Sequence, residues 1–221
     1  MNLFFDFDST IIQTEGLDKL AKMVLTNDQE KIDQFEEITK QGMKGELDFE
    51  QSLIGRFNLI AATKSDINRL ILDLRQTLSP SIDFLKRIVE ENRSSCFVVS
   101  GGFLDYLKPI CIELGFLEDH IFGNEFTYDG EKIIGFNTKN ILSKSKGKAS
   151  LIQSLGLPSP IVIIGDGYTD CEVKLGGIAD HFVAFTENVT RQKVVDRADV
   201  ICENFSEVYN YINKTPIQNF F

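Results

Sequence analysis

The amino-acid sequence predicts an α/β protein in which helices cover both faces of a parallel sheet, with a small helical bundle inserted near the start. Three observations predict this fold class. Short apolar runs recur along the chain, helical patterns lie between most of them, and one segment near the N-terminus is helical throughout. Strands that alternate with helices are typical of a parallel sheet that is covered on both faces.

The apolar runs have the composition of strands that are buried on both faces. Each run is short and rich in Val, Ile or Phe, and none alternates cleanly between apolar and polar residues. The predicted strands are Leu3–Phe7, Cys96–Ser100, Ile161–Gly165, His181–Phe185 and Asp199–Cys202. Between the second and third of these strands, Phe126–Phe136 has the pattern of a β-hairpin that turns at Asp129 and Gly130.

Helical periodicity fills the segments between these strands and dominates residues 15–78. Two core helices are marked by Ile82, Leu85, Ile88 and Val89 and by Ala149, Leu151, Ile152 and Leu155. Within 15–78, Leu17, Leu20, Ala21, Val24 and Leu25 form an amphipathic stripe, and similar stripes follow. We therefore predict an α/β core of residues 1–13 and 79–221, with the hairpin near 124–137, and a helical cap domain of residues 14–78.

The composition excludes several classes of partner. The formal net charge of −10 argues against nucleic acid and anionic membranes, since both need a basic surface. No window approaches the ~18 apolar residues of a membrane span, and Met1–Thr10 does not resemble a signal peptide. The four cysteines are scattered without a metal-binding pattern. We expect a cytoplasmic protein with reduced thiols that is a monomer or a homodimer.

Two carboxylates, Asp6 and Asp8, follow the first predicted strand. Ligands of open α/β folds bind at the carboxyl ends of strands, where paired carboxylates can hold a divalent cation. A carboxylate there could attack phosphorus and form an aspartyl-phosphate, while the second carboxylate transfers protons. The alternative interpretation is that these residues only form a turn after the strand.

Three further motifs favour the chemical interpretation. Ser100 offers a hydroxyl, and Gly101 and Gly102 offer unobstructed backbone amides, all at the end of a strand. Lys146 precedes Gly147 at the start of a helix and could neutralise a phosphoryl oxygen. Asp166 and Asp170 follow another strand and could complete a site for a hard cation. Each motif is weak alone, but one such group at each strand end indicates a phosphoryl-transfer site.

The ordered motifs D-x-D-S-T, S-G-G, K-G and G-D-G-x-T-D resemble those of the haloacid-dehalogenase-like phosphatases. Within that group the sequence is most similar to the phosphoserine phosphatase family, over nearly the whole chain. The resemblance implies a three-layer Rossmann-like core and one Mg²⁺ per site. It implies that Asp6 is the nucleophile and Asp8 the general acid/base. It also implies that Asp6, Asp166 and the main-chain carbonyl of Asp8 hold Mg²⁺.

The same resemblance assigns the phosphoryl-binding groups. Ser100, Gly101 and Lys146 would bind the phosphoryl group; Lys144 and Lys148 are close in sequence, but the Lys-Gly pair favours Lys146. Asp170 would steady the metal site or the lysine. Thr169 stands where many relatives carry asparagine, which shortens its polar reach toward the substrate or the nucleophile.

The predicted cap contains the residues that would select the substrate. By the resemblance, Glu15 meets a substrate ammonium, Arg56 meets a substrate carboxylate, and Met43 and Phe49 close over the site. An arginine offers a bidentate fork to a carboxylate, so this set suits a phosphorylated amino acid. The alternative is that Arg56 and Glu15 are ordinary helix charges and that Met43 and Phe49 belong to the core.

The resemblance implies a phosphomonoesterase that acts on a small phosphate ester, most simply O-phosphoserine, as in serine biosynthesis. Two alternatives share the chemistry: transfer of the phosphoryl group to an acceptor alcohol such as homoserine, and hydrolysis of a different small ester. A signalling receiver domain is disfavoured because it is about half this length and lacks the helical insert. An inactive homologue is disfavoured because Asp6, Asp8, Lys146 and Asp166 are all present.

Overall fold

A central six-stranded parallel sheet organises the fold. A computed structural model describes residues 1–26, 28–44 and 46–214, apart from the side chains of Met43 and Lys44. The strands of the sheet are β1 (Asn2–Phe5), β2 (Cys96–Phe103), β3 (Ile121–Asn124), β6 (Ile161–Gly165), β7 (His181–Phe185) and β8 (Val200–Cys202). Their order across the sheet is β3-β2-β1-β6-β7-β8, and every pair of neighbouring strands is parallel.

The first strand is central because its side chains are apolar on both faces of the sheet. Leu3 and Phe5 belong to one buried cluster, and Phe4 belongs to the other. Side chains alternate between the two faces of a strand, so a run of apolar residues serves both clusters at once. This arrangement confirms the prediction of a parallel sheet with two covered faces.

Helices form the two outer layers of the core. Apolar side chains of α5 (Ile82–Asn92), α6 (Leu104–Glu113) and α10 (Phe205–Lys214) pack on one face. Those of α7 (Gly147–Ser154), α8 (Tyr168–Leu175) and α9 (Gln192–Val195) pack on the other. None of the helices in the described part of the chain is long and apolar enough to cross a membrane.

Four helices follow the first strand before the chain reaches α5 and returns to the sheet. They are α1 (Gly16–Val24), α2 (Gln29–Lys44), α3 (Phe49–Phe57) and α4 (Lys64–Arg75), and we call residues 14–78 the helical insert. Its two ends meet where Gln13 N donates to Thr77 O at 2.7 Å and Ser79 N donates to Ile11 O at 3.0 Å. These two hydrogen bonds tie the two chain crossings together at the base of the insert.

The predicted hairpin is confirmed and touches the insert. It consists of β4 (Phe126–Asp129) and β5 (Lys132–Phe136), which pair antiparallel. Two backbone bonds of 2.9 Å join its tip to the segment between α3 and α4, from Ile133 N to Ala62 O and from Lys64 N to Glu131 O. This end of the insert is therefore fixed to the core by main-chain atoms.

The structure differs from the predicted strands at the ends of β1 and β2, and it contains one strand that was not predicted. The first strand ends at Phe5, because the chain turns where Ile11 N and Ile12 N donate to Phe7 O. The second continues to Phe103 and changes its register with β3 after Val99. β3 itself was not predicted, since its four residues include a glycine and an asparagine that break the apolar pattern.

Candidate active site

Asp6 lies at the carboxyl end of the central strand, where neighbouring strand ends converge. Its N–H donates to Ile164 O of β6 at 2.9 Å, which continues the ladder by one residue. Its Oδ1 accepts from Phe7 N at 2.7 Å, so this carboxyl oxygen is held by the main chain. The other oxygen, Oδ2, lies 2.8 Å from Lys148 Nζ. Asp6 is therefore fixed in place with one oxygen paired to a cation.

Lys148, and not Lys146, is the lysine that contacts Asp6. Lys146 precedes α7 with a left-handed backbone (φ 60°), and its side chain is exposed. Lys148 is the second residue of α7 and is buried, 2.7 Å from Asp170 Oδ1 and 2.8 Å from Asp6 Oδ2. The predicted Lys146 therefore does not contact Asp6 in this structure, because it precedes α7 in a left-handed turn, whereas Lys148 is buried in the first turn of the helix. The predicted role of Lys146 in binding the phosphoryl group stays a prediction.

The environment of Lys148 keeps its ammonium charged. Burial alone would lower the pKa of Lys148, but the carboxylates of Asp170 and Asp6 outweigh burial and raise it. Burial and the negative charge of Asp6 raise the pKa of Asp170, against the opposing charge of Lys148. Asp170 also accepts from Gly167 N at 3.1 Å. Asp170 therefore holds Lys148, whereas the prediction was that it steadies the metal site or Lys146.

A buried acidic cluster suits a divalent cation. Carboxylate oxygens of Asp6, Asp166 and Asp170 all lie within 4.8 Å of one another, and all three residues are buried. A small hard cation such as Mg²⁺ prefers oxygen ligands, so the chemistry of this donor set fits it. Thr10 Oγ1 donates to Asp166 Oδ1 at 3.1 Å, which orients the second predicted ligand.

Arg191 is a charged residue of the site that the sequence analysis missed. Its Nη1 contacts Asp166 Oδ2, and its Nη2 lies 3.5 Å from Glu15 Oε1. It joins the acidic cluster to the residue predicted to bind the substrate ammonium. The only signal that could have found Arg191 is its place after β7, since ligands bind at the carboxyl ends of parallel strands.

Asp8 points toward the phosphate-binding strand end. Its Oδ1 accepts from Gly16 N at 2.7 Å, and its Oδ2 lies 3.5 Å from Ser100 Oγ. Burial raises the pKa of Asp8 well above its usual value, and the negative charges of Glu15 and Asp6 raise it further. A carboxyl group with a raised pKa can carry a proton at neutral pH, as a general acid must.

Ser100, Gly101 and Gly102 form a narrow polar ledge opposite Asp8. Ser100 Oγ accepts from Gly102 N at 2.9 Å, and Asn124 Nδ2 donates to Gly101 O at 2.8 Å. A Cβ at Gly101 would lie 2.7 Å from the Phe49 ring, so the ring packs directly against that backbone. The Phe49 ring thus lies against the residues predicted to bind phosphate, and its closure over a bound substrate stays a prediction.

The predicted substrate residues Glu15, Arg56 and Thr169 lie on or next to α1, α3 and α8. Glu15 accepts from Ser9 Oγ at 2.8 Å, and Arg56 Nη1 lies 3.4 Å from Asp18 Oδ1 in α1. Thr169 is partly buried in the first turn of α8, next to Asp170. The predicted role of Met43 falls outside the described residues, because its side chain is not described.

Comparison with known proteins identifies the family. The family model for haloacid dehalogenase-like hydrolases matches residues 3–173, so the chain belongs to that family. Phosphoserine phosphatases from Bos taurus and Homo sapiens are 34% and 33% identical to the chain over 209 residues, covering 92% of it and 89% of each relative. Within the larger family, the chain is a member of the phosphoserine phosphatases.

Solved structures agree with the sequence relatives. A phosphoserine phosphohydrolase-like protein from Francisella tularensis superposes with a TM-score of 0.84 and 27% identity, covering 96% of this chain and 99% of that one. A substrate-bound phosphoserine phosphatase complex superposes with a TM-score of 0.77 and 25% identity, covering 95% and 96%. The likeness therefore includes both the sheet and the helical insert.

Proposed function

We propose that the chain hydrolyses O-phosphoserine to serine and phosphate through an aspartyl-phosphate on Asp6. The observation that carries this proposal is the pairing of Asp6 Oδ2 with buried Lys148 beside two more carboxylates, across from Asp8 and Ser100. The sequence relatives are phosphoserine phosphatases and share almost the full length of the chain. We also propose that the helical insert acts as the cap over this site.

The first half of the reaction transfers the phosphoryl group to Asp6. A carboxylate oxygen of Asp6 attacks phosphorus, the bond from phosphorus to the serine oxygen breaks, and Asp8 gives its proton to that oxygen. Lys148, Ser100 Oγ and the ledge amides stabilise the charge on the phosphoryl oxygens. Bound Mg²⁺, held by Asp6, Asp166 and the Asp8 carbonyl, would supply further positive charge to those oxygens.

The second half frees Asp6. Asp8, now a carboxylate, accepts a proton from water as the water oxygen attacks phosphorus, and the bond between phosphorus and Asp6 breaks. Phosphate leaves, and both carboxyl groups return to their starting states. Phosphate monoesters hydrolyse so slowly without a catalyst that acceleration can approach ~10²¹-fold, which requires several such groups to act together.

Substrate selection rests on charge complementarity in the insert. The carboxylate of Glu15, which follows the loop that carries Asp8, would accept hydrogen bonds from the substrate ammonium. The guanidinium of Arg56 would leave its ion pair with Asp18 and bind the substrate carboxylate. Phe49 covers the ledge and would exclude water from the phosphoryl group.

The nucleophile is tested by Asp6→Asn. The amide cannot attack phosphorus, so phosphoserine turnover should disappear while circular dichroism shows a retained fold. Wild-type enzyme with Mg²⁺ is the reference. If Asp6→Asn keeps measurable turnover, Asp6 is not the nucleophile.

Substrate selection is tested by Arg56→Ala with two substrates. KM for phosphoserine should rise at least tenfold, the usual loss of a charged hydrogen bond of ~1.5 kcal/mol. KM for an aryl phosphate, which has no carboxylate, should change much less. Equal increases for both substrates would remove Arg56 from carboxylate binding.

A further inference from the structure

The phenol of Tyr106 is buried beside the catalytic residues, and no described side chain accepts its proton. Tyr106 has 0% relative exposure, and among the described residues its hydroxyl has no partner in hydrogen-bond geometry, although the Phe103 backbone lies near enough to lower its pKa. Buried tyrosine hydroxyls usually find a partner, because an unpaired buried polar group lowers stability. The other buried residues of α6, Leu107, Ile110 and Cys111, are apolar. Packing alone would therefore be satisfied by a phenylalanine at this position.

The hydroxyl lies between the two backbone segments that flank Asp8. A Cβ at Gly16 would lie 3.0 Å from Tyr106 Oη, and Gly16 N is the donor to Asp8 Oδ1. A Cβ at Gly102 would lie 2.8 Å from Tyr106 Oη, 2.9 Å from Asp8 Oδ2 and 3.2 Å from Ser100 Oγ. Tyr106 Oη, Asp8 Oδ2 and Ser100 Oγ thus surround the position that a Cβ of Gly102 would take. Of the two Asp8 oxygens, Oδ2 is the one on this side, and its contact with Ser100 Oγ is the longer one.

Burial favours a neutral phenol that donates its proton in a hydrogen bond. It raises the pKa of Tyr106 well above its usual value, although the Phe103 backbone opposes this shift. The hydroxyl therefore keeps its proton and can serve as a donor. Asp8 Oδ2 is the acceptor that faces the same point, and its present contact with Ser100 Oγ is long at 3.5 Å.

We propose that Tyr106 is a positioning residue that donates a hydrogen bond to Asp8 Oδ2 when substrate fills the site. This hydrogen bond would hold the Asp8 carboxyl group in line with the leaving oxygen of the substrate, while Gly16 N donates to Asp8 Oδ1. This role rests on the proposed function of Asp8 as the proton donor. It explains why a hydroxyl occupies a position where apolar packing would be more stable.

The test is Tyr106→Phe, which removes only the hydroxyl. Because an unpaired buried group is lost, the thermal midpoint of the substrate-free enzyme should rise by about 2–4 °C. At the same time kcat/KM for phosphoserine, which reports transfer to Asp6, should fall about tenfold, part of the 10²–10⁴ that general acid catalysis supplies. For an aryl phosphate, whose leaving group needs no proton, kcat/KM should change less than twofold.

Tyr128→Phe is the matched control. The Tyr128 hydroxyl is partly buried and donates to Asp105 Oδ1, so its loss should lower the thermal midpoint and leave both kcat/KM values unchanged. A lower midpoint in Tyr106→Phe, or equal losses on the two substrates, would overturn the proposal. If wild-type enzyme fails to hydrolyse phosphoserine, the proposed function fails first, and the role of Tyr106 falls with it.

Discussion

Lys148 shows how a single buried charge supports the whole reacting centre. Its ammonium lies between Asp6 and Asp170, and all three residues are buried. Removing one member of a buried ion pair leaves an uncompensated charge, which costs about 3–5 kcal/mol. A substitution that preserves the charge is therefore the sharper test of its role in the reaction.

Lys148→Arg should keep the fold and lose at least a hundredfold in kcat. The guanidinium keeps the charge, but it is planar and larger, so it cannot place a compact donor between two carboxylates. Lys146→Arg is the matched control and should leave kcat within twofold, because that side chain is exposed. Steady-state kinetics and circular dichroism check both variants. A large loss of kcat in Lys146→Arg, with kcat retained in Lys148→Arg, would return the assignment to Lys146.

Asp18→Asn should change how stability depends on pH. Burial raises the pKa of Asp18 to about 6, although Arg56 opposes this shift. A raised pKa in the folded state means that wild-type stability falls as the pH rises from about 4 to 6. The asparagine variant avoids that loss, so it should be more stable at pH 8 by at most about 3 kcal/mol.

Urea unfolding at pH 4 and pH 8 measures this difference. Below pH 4 the wild-type side chain is neutral in both states, so the advantage of the variant should vanish. An equal difference at the two pH values would show that the charge of Asp18 is not its source.

At the scale of elements, α3 meets the core differently at its two ends. Its C-terminal end is fixed through the hairpin, where the Phe57 ring packs 5.3 Å from that of Phe136. Its N-terminal end, capped by Asp48, carries Phe49 over the phosphate-binding ledge, and Glu50 pairs with Lys144 of the core. Among the residues that the structure describes, side chains join this second end to the core, without the main-chain hydrogen bonds seen near the hairpin.

Glu50→Gln should raise KM for phosphoserine by about two- to fivefold. The pair with Lys144 is more than a third exposed on both sides, and such pairs contribute at most about 1 kcal/mol. The charge-swapped double variant Glu50→Lys/Lys144→Glu should restore KM, and added salt should reduce the difference. Asp83→Asn, which breaks a surface pair within α5, is the control. An unrestored KM in the double variant would contradict a pairwise contact.

The elements also show what sequence reasoning can recover. Asp6, Asp8 and Asp166 could be predicted because each follows an apolar strand and belongs to a recognisable motif. Arg191 could not be predicted, since no pattern marks the loop after β7 and only the sheet order brings it to Asp166. The contact of Lys148 with Asp6 was not predicted, because the Lys-Gly pair marks the helix start and not the buried side of its first turn. β3 was missed because a four-residue edge strand needs little apolar character.

At the scale of the whole molecule, the buried acidic cluster should make stability depend on Mg²⁺. Mg²⁺ that binds only the folded state should stabilise it by about 2.7 kcal/mol at a hundred times its Kd. For a chain of this size, that corresponds to about 5–10 °C in the thermal midpoint. Chelation by EDTA should reverse the increase. Differential scanning calorimetry with and without Mg²⁺ checks this expectation.

Asp166→Asn separates the site from general salt effects. It removes one carboxylate of the cluster, so the Mg²⁺-dependent increase should shrink to a small fraction of the wild-type value. Sodium chloride at matched ionic strength should raise neither midpoint appreciably. A full increase in the variant would show that the cation binds elsewhere.

The central position of β1 has a consequence for how the polypeptide is made. Residues 3–5 pair with residues 96–98 on one side, and residues 2–5 pair with residues 161–164 on the other. During synthesis, the middle of the sheet must therefore wait, with three phenylalanines at positions 4, 5 and 7, until residues 161–164 have been made. Such late pairing between distant segments slows folding and exposes apolar surface to aggregation. The newly made chain should therefore depend on chaperone binding to this phenylalanine-rich segment until β6 emerges.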